Sequence, residues 1–131
     1  MKSRLNKSLT IASVQMPVSK KGPEDLKVME SYLKHINKLF PNVGVVVFPE
    51  LSPTSIGSEP QAQAEKIPGS LTSTFSYWSN KYNIWLIPGS LYELSNGKVY
   101  NSTPVFSPEG DLVGVYRKRY PWSPYEKTES G

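Results

Sequence analysis

The spacing of apolar residues changes repeatedly along the chain, and this alternation constrains the fold more than any other feature. Leu9 to Gln15 has the short apolar pattern of a strand. A stripe of apolar residues three and four positions apart follows and predicts an amphipathic helix; it consists of Leu26, Met29, Leu33, Ile36 and Phe40. Val43 to Phe48 is almost wholly apolar, which is typical of a strand buried on both faces. Helices therefore have to cover at least part of the sheet.

The alternation continues and then gives way to hairpins. A second helical stripe consists of Leu71, Phe75, Trp78 and Tyr82. Ile84 to Leu91 has the pattern of a third strand. Two turn sequences, Asn96-Gly97 and Glu109-Gly110-Asp111, separate further strands; these are Leu91 to Leu94, Val99 to Phe106 and Leu112 to Arg117. The order βαβαβ followed by a meander predicts an α/β layered fold with a mixed sheet, in a single domain.

Composition excludes several classes of site. The 131 residues contain no cysteine and one histidine, so neither a thiolate-bound nor a histidine-based metal site is expected. No Walker loop or Gly-x-Gly-x-x-Gly sequence is present, and we expect no cofactor. Met1 to Ser8 is basic and polar and does not resemble a signal peptide. No segment approaches the about 20 apolar residues of a membrane span, so we expect a cytoplasmic protein without a membrane partner.

Two charged residues stand where strands end. Glu50 follows the strand Val43 to Phe48 after a single proline, at the carboxyl end where α/β folds bind ligands. By position alone, a surface-loop glutamate fits Glu50 equally well. Lys118 ends the strand Leu112 to Arg117, and taken alone it would belong to a solvated cluster with its two arginine neighbours.

Three short segments follow one another in a fixed order: Val46 to Glu50, Tyr116 to Lys118 and Pro121 to Glu126. Together they resemble the carbon-nitrogen hydrolase (nitrilase) superfamily, in particular its aliphatic amidase and formamidase branch. Ile11 to Met16 is also similar to the first strand of that family. The resemblance implies an α-β-β-α sandwich of the nitrilase type, about half of it present. It also implies an intact enzyme that hydrolyses a small linear amide and forms a homo-oligomer.

The resemblance assigns roles to individual residues. In the family a cysteine thiolate attacks an amide or nitrile carbon, and water hydrolyses the acyl-enzyme that forms. The resemblance implies that Glu50 is the general base and that Lys118 stabilises the oxyanion. It further implies that Glu126 orients the substrate and the lysine, and that Trp122 lies in the substrate pocket. Leu51 stands where aliphatic amidases often have a tyrosine.

The nucleophile of the family has no counterpart in this sequence. The family cysteine lies downstream of the second glutamate, and this chain ends at Gly131 without a cysteine. We therefore expect residues 1–131 to be the N-terminal half of a carbon-nitrogen hydrolase domain, truncated before the cysteine and inactive alone. Ser70 and Ser90 each follow a glycine, but neither lies in a Gly-x-Ser-x-Gly elbow with a histidine base.

Two alternative functions stay open. Tyr116 to Tyr125 interleaves basic residues with tyrosine and tryptophan, a composition that can stack bases and neutralise phosphates. The net charge of only +4 and the lack of a known nucleic-acid-binding signature favour no nucleic-acid partner. The other alternative is a non-catalytic fragment that only interacts with another protein.

Overall fold

The computed structural model describes residues 8–18, 22–54 and 59–131. The helices and strands, in chain order, are β1 (Ile11–Ser13), α1 (Gly22–Leu39), β2 (Val45–Val47), α2 (Pro60–Gln63), α3 (Ser70–Tyr82), β3 (Trp85–Ile87), β4 (Leu91–Ser95), β5 (Lys98–Phe106) and β6 (Leu112–Arg117). Most of Met1 to Ser8, the segment predicted not to be a signal peptide, lies outside the described residues.

The six described strands form one mixed sheet. Its order is β1-β2-β3-β5-β4, and β6 pairs with β5. The first three strands are parallel, whereas β5 runs antiparallel to β3, β4 and β6. This arrangement confirms the α/β fold with a mixed sheet.

Helices α1 and α3 cover one face of the sheet. Met29 and Leu33 of α1 and Phe75 of α3 are fully buried there, against Val46 and Leu86 of the strands. Asn83 ends α3 in the left-handed conformation, with its backbone N–H bonded to the Asn80 carbonyl. The Oε1 of Glu65 accepts a hydrogen bond from the backbone N–H of Leu71. This places a negative charge at the start of α3, where the helix dipole favours it.

The opposite face of the sheet stays open in the described residues. Ile11, Val45 and Trp85 are register partners on three adjacent strands. Ile11 is 57% exposed and Trp85 41%, whereas Val46 on the helix side is fully buried. The prediction that Val43 to Phe48 is buried on both faces is therefore wrong for one face, because no described layer packs on it.

Several element boundaries differ from the predicted ones, and β2 in particular is shorter than Val43 to Phe48. The first strand is shorter than Leu9 to Gln15. The predicted strand Ile84 to Leu91 is two strands, because Pro88 has no N–H to donate and Gly89 takes a φ of +82°. Phe40 follows α1 and is exposed rather than part of its buried stripe. The short helix α2 was not predicted.

Both predicted turns are present. Asn96 and Gly97 have φ values of 52° and 75°, as a two-residue hairpin turn between β4 and β5 requires. Gly110, with a φ of 91°, lies in the turn between β5 and β6. The β5–β6 hairpin therefore ends at Arg117, directly before Lys118.

Candidate active site

Glu50, Lys118 and Glu126 meet at one edge of the sheet. The Nζ of Lys118 lies 2.9 Å from Oε1 of Glu50 and 2.8 Å from Oε2 of Glu126. The topology explains the meeting of residues 68 positions apart. Since β5 is antiparallel to both β3 and β6, strands β2, β3 and β6 point the same way and their carboxyl ends share an edge.

Glu126 is a largely buried carboxylate that accepts several hydrogen bonds. Its side chain is 13% exposed. Besides Lys118, it accepts hydrogen bonds from the backbone N–H of Trp122 at 3.0 Å, from Asn101 at 2.9 Å and from the Thr128 hydroxyl at 3.0 Å. Burial alone would raise the pKa of Glu126, but these four donors stabilise the anion and lower its pKa to about 2. Glu126 is therefore a permanent anion at neutral pH.

Lys118 stays a cation in these surroundings. Its hydrogen bond to Glu126, followed by the one to Glu50, raises the pKa of the ammonium above its usual value, against the opposing effect of burial. The nearby buried Tyr92 has a raised pKa, first because of burial and then because of the negative charges of both glutamates. The site thus holds two carboxylates around one ammonium.

Glu50 is the exposed member of the group and sits on a tightly fixed turn. Its side chain is 57% exposed. The next residue, Leu51, has a φ of 58°, an uncommon conformation for a side chain of its size. The N–H of Leu51 donates to the buried hydroxyl of Ser90 at 3.0 Å. A Cβ on Gly89 would lie only 1.9 Å from the carbonyl oxygen of Pro49, so the β3–β4 connection packs directly against this turn.

Asn101 belongs to the same cluster, although the sequence did not single it out. Its Nδ2 lies 2.8 Å from Oε1 of Glu50 and 2.9 Å from Oε1 of Glu126. The residue is 2% exposed and lies within β5. An asparagine in a strand rich in valine and aromatic residues is unusual, and that was the available signal.

An open cavity of about 300 Å³ adjoins the cluster. Its apolar wall consists of Val47, Ile87 and Tyr116, and its polar wall includes Glu50 and Lys118. A reactant in this cavity would contact both an exposed carboxylate and a fixed ammonium. The pair can accept a proton and stabilise a negative charge that develops on a substrate oxygen.

Trp122 adjoins this site through its backbone. Its N–H binds Glu126, whereas its indole is 70% exposed and packs on Tyr125 with ring centres 4.8 Å apart. Its side chain is not among those that line the cavity in the described part of the chain.

The three consecutive basic residues have different environments. Arg117 donates from Nε and Nη2 to the buried carboxylate of Glu93, at 2.9 and 2.6 Å. Lys118 binds the two glutamates of the site. Arg119 is exposed and has no carboxylate partner among the described residues. The segment is therefore not a uniformly solvated basic cluster.

The described residues offer no candidate metal centre. Within residues 8–18, 22–54 and 59–131, no three histidine, aspartate or glutamate side chains are grouped to hold an ion. His35 lies on the surface of α1, with Nδ1 2.7 Å from the Ser31 carbonyl oxygen. No described helix has the length and apolar character needed to cross a membrane.

Sequence comparisons identify relatives over most of the chain. Residues 10–131 match the model of the carbon-nitrogen hydrolase family. The chain is 37% identical to the omega-amidase NIT2 of Danio rerio over 110 residues, which cover 82% of this chain and 39% of that protein. It is 31% identical to the omega-amidase NIT2 of Pongo abelii over 112 residues, 85% of this chain and 40% of that protein. The chain thus spans about two fifths of the length of these relatives.

Solved structures share the fold. A carbon-nitrogen hydrolase from Helicobacter pylori superposes with a TM-score of 0.82 at 27% identity, over 94% of this chain and 44% of that one. Nit3 of Saccharomyces cerevisiae, a member of branch 10 of the nitrilase superfamily, superposes with a TM-score of 0.80 at 23% identity, over 94% of this chain and 48% of its own. The nitrilase-type fold is confirmed, with somewhat less than half of the neighbours' length present.

Proposed function

This chain belongs to the carbon-nitrogen hydrolase family, and we propose that it supplies the base, the cation and the second carboxylate of a site that hydrolyses small amides. The nucleophile in this proposal is a cysteine of a segment outside these 131 residues, since the sequence itself contains none. The observation that carries the proposal is the ammonium of Lys118 held within 3 Å of both Glu50 and Glu126, beside an open cavity.

Residues of this cluster transfer the protons and stabilise the negative charge in the proposed reaction. Glu50 takes the proton of the cysteine thiol, and the thiolate bonds to the amide carbon while the carbonyl electrons move to oxygen. Lys118 stabilises that oxyanion. On collapse the carbon–nitrogen bond breaks, and Glu50 returns the proton to the leaving nitrogen, which gives ammonia and a thioester. Glu50 then deprotonates water, which attacks the thioester and releases the acid and the thiol.

Glu126 and Trp122 have supporting roles in this proposal. Glu126 remains charged at neutral pH and holds Lys118 protonated and in place, so it does not compete with Glu50 for the proton. Trp122 keeps the substrate contact that the family motif implies, and because its exposed indole does not line the cavity, it contacts only a part of the substrate that extends beyond the cavity.

The proposed substrate class is that of an omega-amidase. The resemblance of the motifs pointed to the aliphatic amidase and formamidase branch, whereas the relatives reported above are omega-amidases. Leu51 stands in place of the tyrosine often found in aliphatic amidases, which also supports an omega-amidase substrate over one of an aliphatic amidase. The intact protein in this proposal is a homo-oligomer, like the enzymes that the motifs resemble.

The nucleic-acid alternative has less support. It needs several free cations beside the exposed aromatic rings, whereas Arg117 and Lys118 are paired with carboxylates and, among the described residues of this basic run, Arg119 alone has no carboxylate partner. Salt-dependent binding of single-stranded nucleic acid at low ionic strength would revive it. A purely non-catalytic role leaves unexplained why two carboxylates converge on one lysine.

Ammonia release tests the proposal. The 131-residue chain alone should release no more ammonia from small amides than buffer does, because it cannot form the thioester. Co-expression with the part of the Danio rerio omega-amidase that this chain does not match should restore release. Turnover by the chain alone, or its absence from a well-folded complemented protein, would contradict the proposal.

A further inference from the structure

We propose that Asn101 is a positioning residue that fixes one oxygen of Glu50 and thereby leaves the other free to accept the proton. The inference rests on the proposed function, because it concerns how the base of that reaction is held.

The hydrogen bonds at Glu50 are unequal. Its Oε1 accepts from Nδ2 of Asn101 at 2.8 Å and from Nζ of Lys118 at 2.9 Å. Among the described residues, no donor binds Oε2 of Glu50. Two donors on one oxygen lower its basicity and set the plane of the carboxylate, so proton transfer falls to Oε2.

Asn101 is the rigid donor of the two. It is buried within β5, and its backbone carbonyl accepts the N–H of Lys118 at 2.8 Å. Lys118 reaches the same oxygen through a flexible four-carbon chain. The side chain of Glu50 is itself 57% exposed, so the strand residue is what ties its carboxylate to the sheet. A site held by a strand is positioned more accurately than one held by a loop.

A neutral amide donor also suits the position of Asn101 between the carboxylates of Glu50 and Glu126. The same Nδ2 donates to Oε1 of Glu126 at 2.9 Å, so one neutral group bridges two anions. A second cation there would neutralise the carboxylate that has to act as the base. An aspartate would add a third negative charge and could not bridge them as a donor.

NMR spectroscopy of the 131-residue chain, with glutamate side chains labelled with carbon-13, tests the assignment without any catalytic assay. Asn101→Ala should move the carboxyl carbon resonance of Glu50 and increase the mobility of its side chain. Thr128→Val is the matched control, because Thr128 donates only to Glu126. It should change the Glu126 signal and leave that of Glu50 in place. An unchanged Glu50 in Asn101→Ala would overturn the assignment.

A reciprocal measurement covers the case in which Asn101→Ala does not fold. In Glu50→Gln, the side-chain amide protons of Asn101 should shift because their anionic acceptor is lost. If they do not, Asn101 does not bind Glu50 in solution and the inference is wrong.

Kinetics of the complemented enzyme, which is this chain co-expressed with the unmatched part of the omega-amidase, separate an effect on the position of Glu50 from an effect on protein stability. Asn101→Ala should lower kcat on the order of a hundredfold, as a misplaced catalytic group does, with little change in KM. An unchanged kcat would overturn the inference even with the hydrogen bond present. If the complemented enzyme were inactive throughout, the proposed function would fail, whereas the NMR result would still decide the contact.

Discussion

Glu126 and Glu50 are chemically identical, and their surroundings separate the roles that we propose for them. Glu126 is largely buried and has four donors, whereas Glu50 is exposed and has two donors on one oxygen. A carboxylate with so many donors holds its charge, and one that faces a cavity can exchange a proton with a reactant. The division of roles that we propose therefore follows from hydrogen bonding.

The stability of the protein in acid should reveal the effect of the hydrogen bonds to Glu126. A carboxylate whose pKa falls from 4.5 to about 2 on folding stabilises the native state above pH 4.5 and loses that effect as the pH falls toward 2. The effect is on the order of 3 kcal/mol. Glu126→Gln should remove this part of the pH dependence in urea unfolding experiments. Glu30 and Glu93, which also have lowered pKa values, are present in both proteins and cancel. Identical pH dependence would show that Glu126 is not bonded in this way.

The sequence singled out the three charged residues that the structure brings together, but not the amide of Asn101. Glu50, Lys118 and Glu126 each lie in a short motif that resembles a known family. Asn101 reaches Glu50 only when the ends of β2 and β6 come to it in the fold, which no local pattern records. The one hint in the sequence was an asparagine within a predicted strand of valine and aromatic residues.

The connection between β3 and β4 is the element that holds the turn of Glu50. Gly89 approaches the Pro49 carbonyl, and Ser90 binds the N–H of Leu51. Ser90 thus serves as a buried acceptor, in agreement with its lack of a nucleophile motif. The sequence indicated a continuous strand here, because local hydropathy does not reveal a backbone that must bend around a neighbouring loop.

Two glycines allow a matched test of this contact. Gly89→Ala should destabilise the protein by more than about 2 kcal/mol, because both the positive φ and the close Pro49 oxygen oppose a Cβ. Gly97 has a similar φ of 75° with no atom within 4 Å of its Cβ position, so Gly97→Ala should cost only about 1 kcal/mol. Urea unfolding gives both values. Equal losses would mean that the turn of Glu50 is not packed on Gly89.

In the part of the molecule that the structure describes, helices cover one face of the sheet. The alternation of strand and helix patterns predicted the α/β class, since the spacing of apolar residues follows from the geometry of the strand or helix that they form. It did not predict the open face, because an apolar run such as Val43 to Phe48 indicates burial without saying what provides it. The chain matches only about two fifths of its relatives' length, and the cavity of the site opens beside this face.

Self-association is the expected consequence of the open face. Ile11 of β1 and Trp85 of β3 expose apolar surface on either side of β2, which favours packing against another layer. Sedimentation velocity should show mass increasing with concentration, and Trp85→Lys should reduce the increase. Leu39→Lys is the control, because Leu39 is also an exposed apolar residue, at 60%, but lies at the end of α1. A monomer at every concentration would argue against the prediction.

The variant series in the complemented enzyme tests the central claim, that Glu50 and Lys118 form the working pair of an amide hydrolase. Glu50→Gln should abolish ammonia release, and Lys118→Ala should lower it at least about a hundredfold, as expected for the loss of one oxyanion donor. Lys81→Ala is the matched control, because Lys81 pairs with Glu30 on the helical layer, and it should leave the rate unchanged. Full activity in both Glu50→Gln and Lys118→Ala would contradict the account and reduce the family relationship to one of fold.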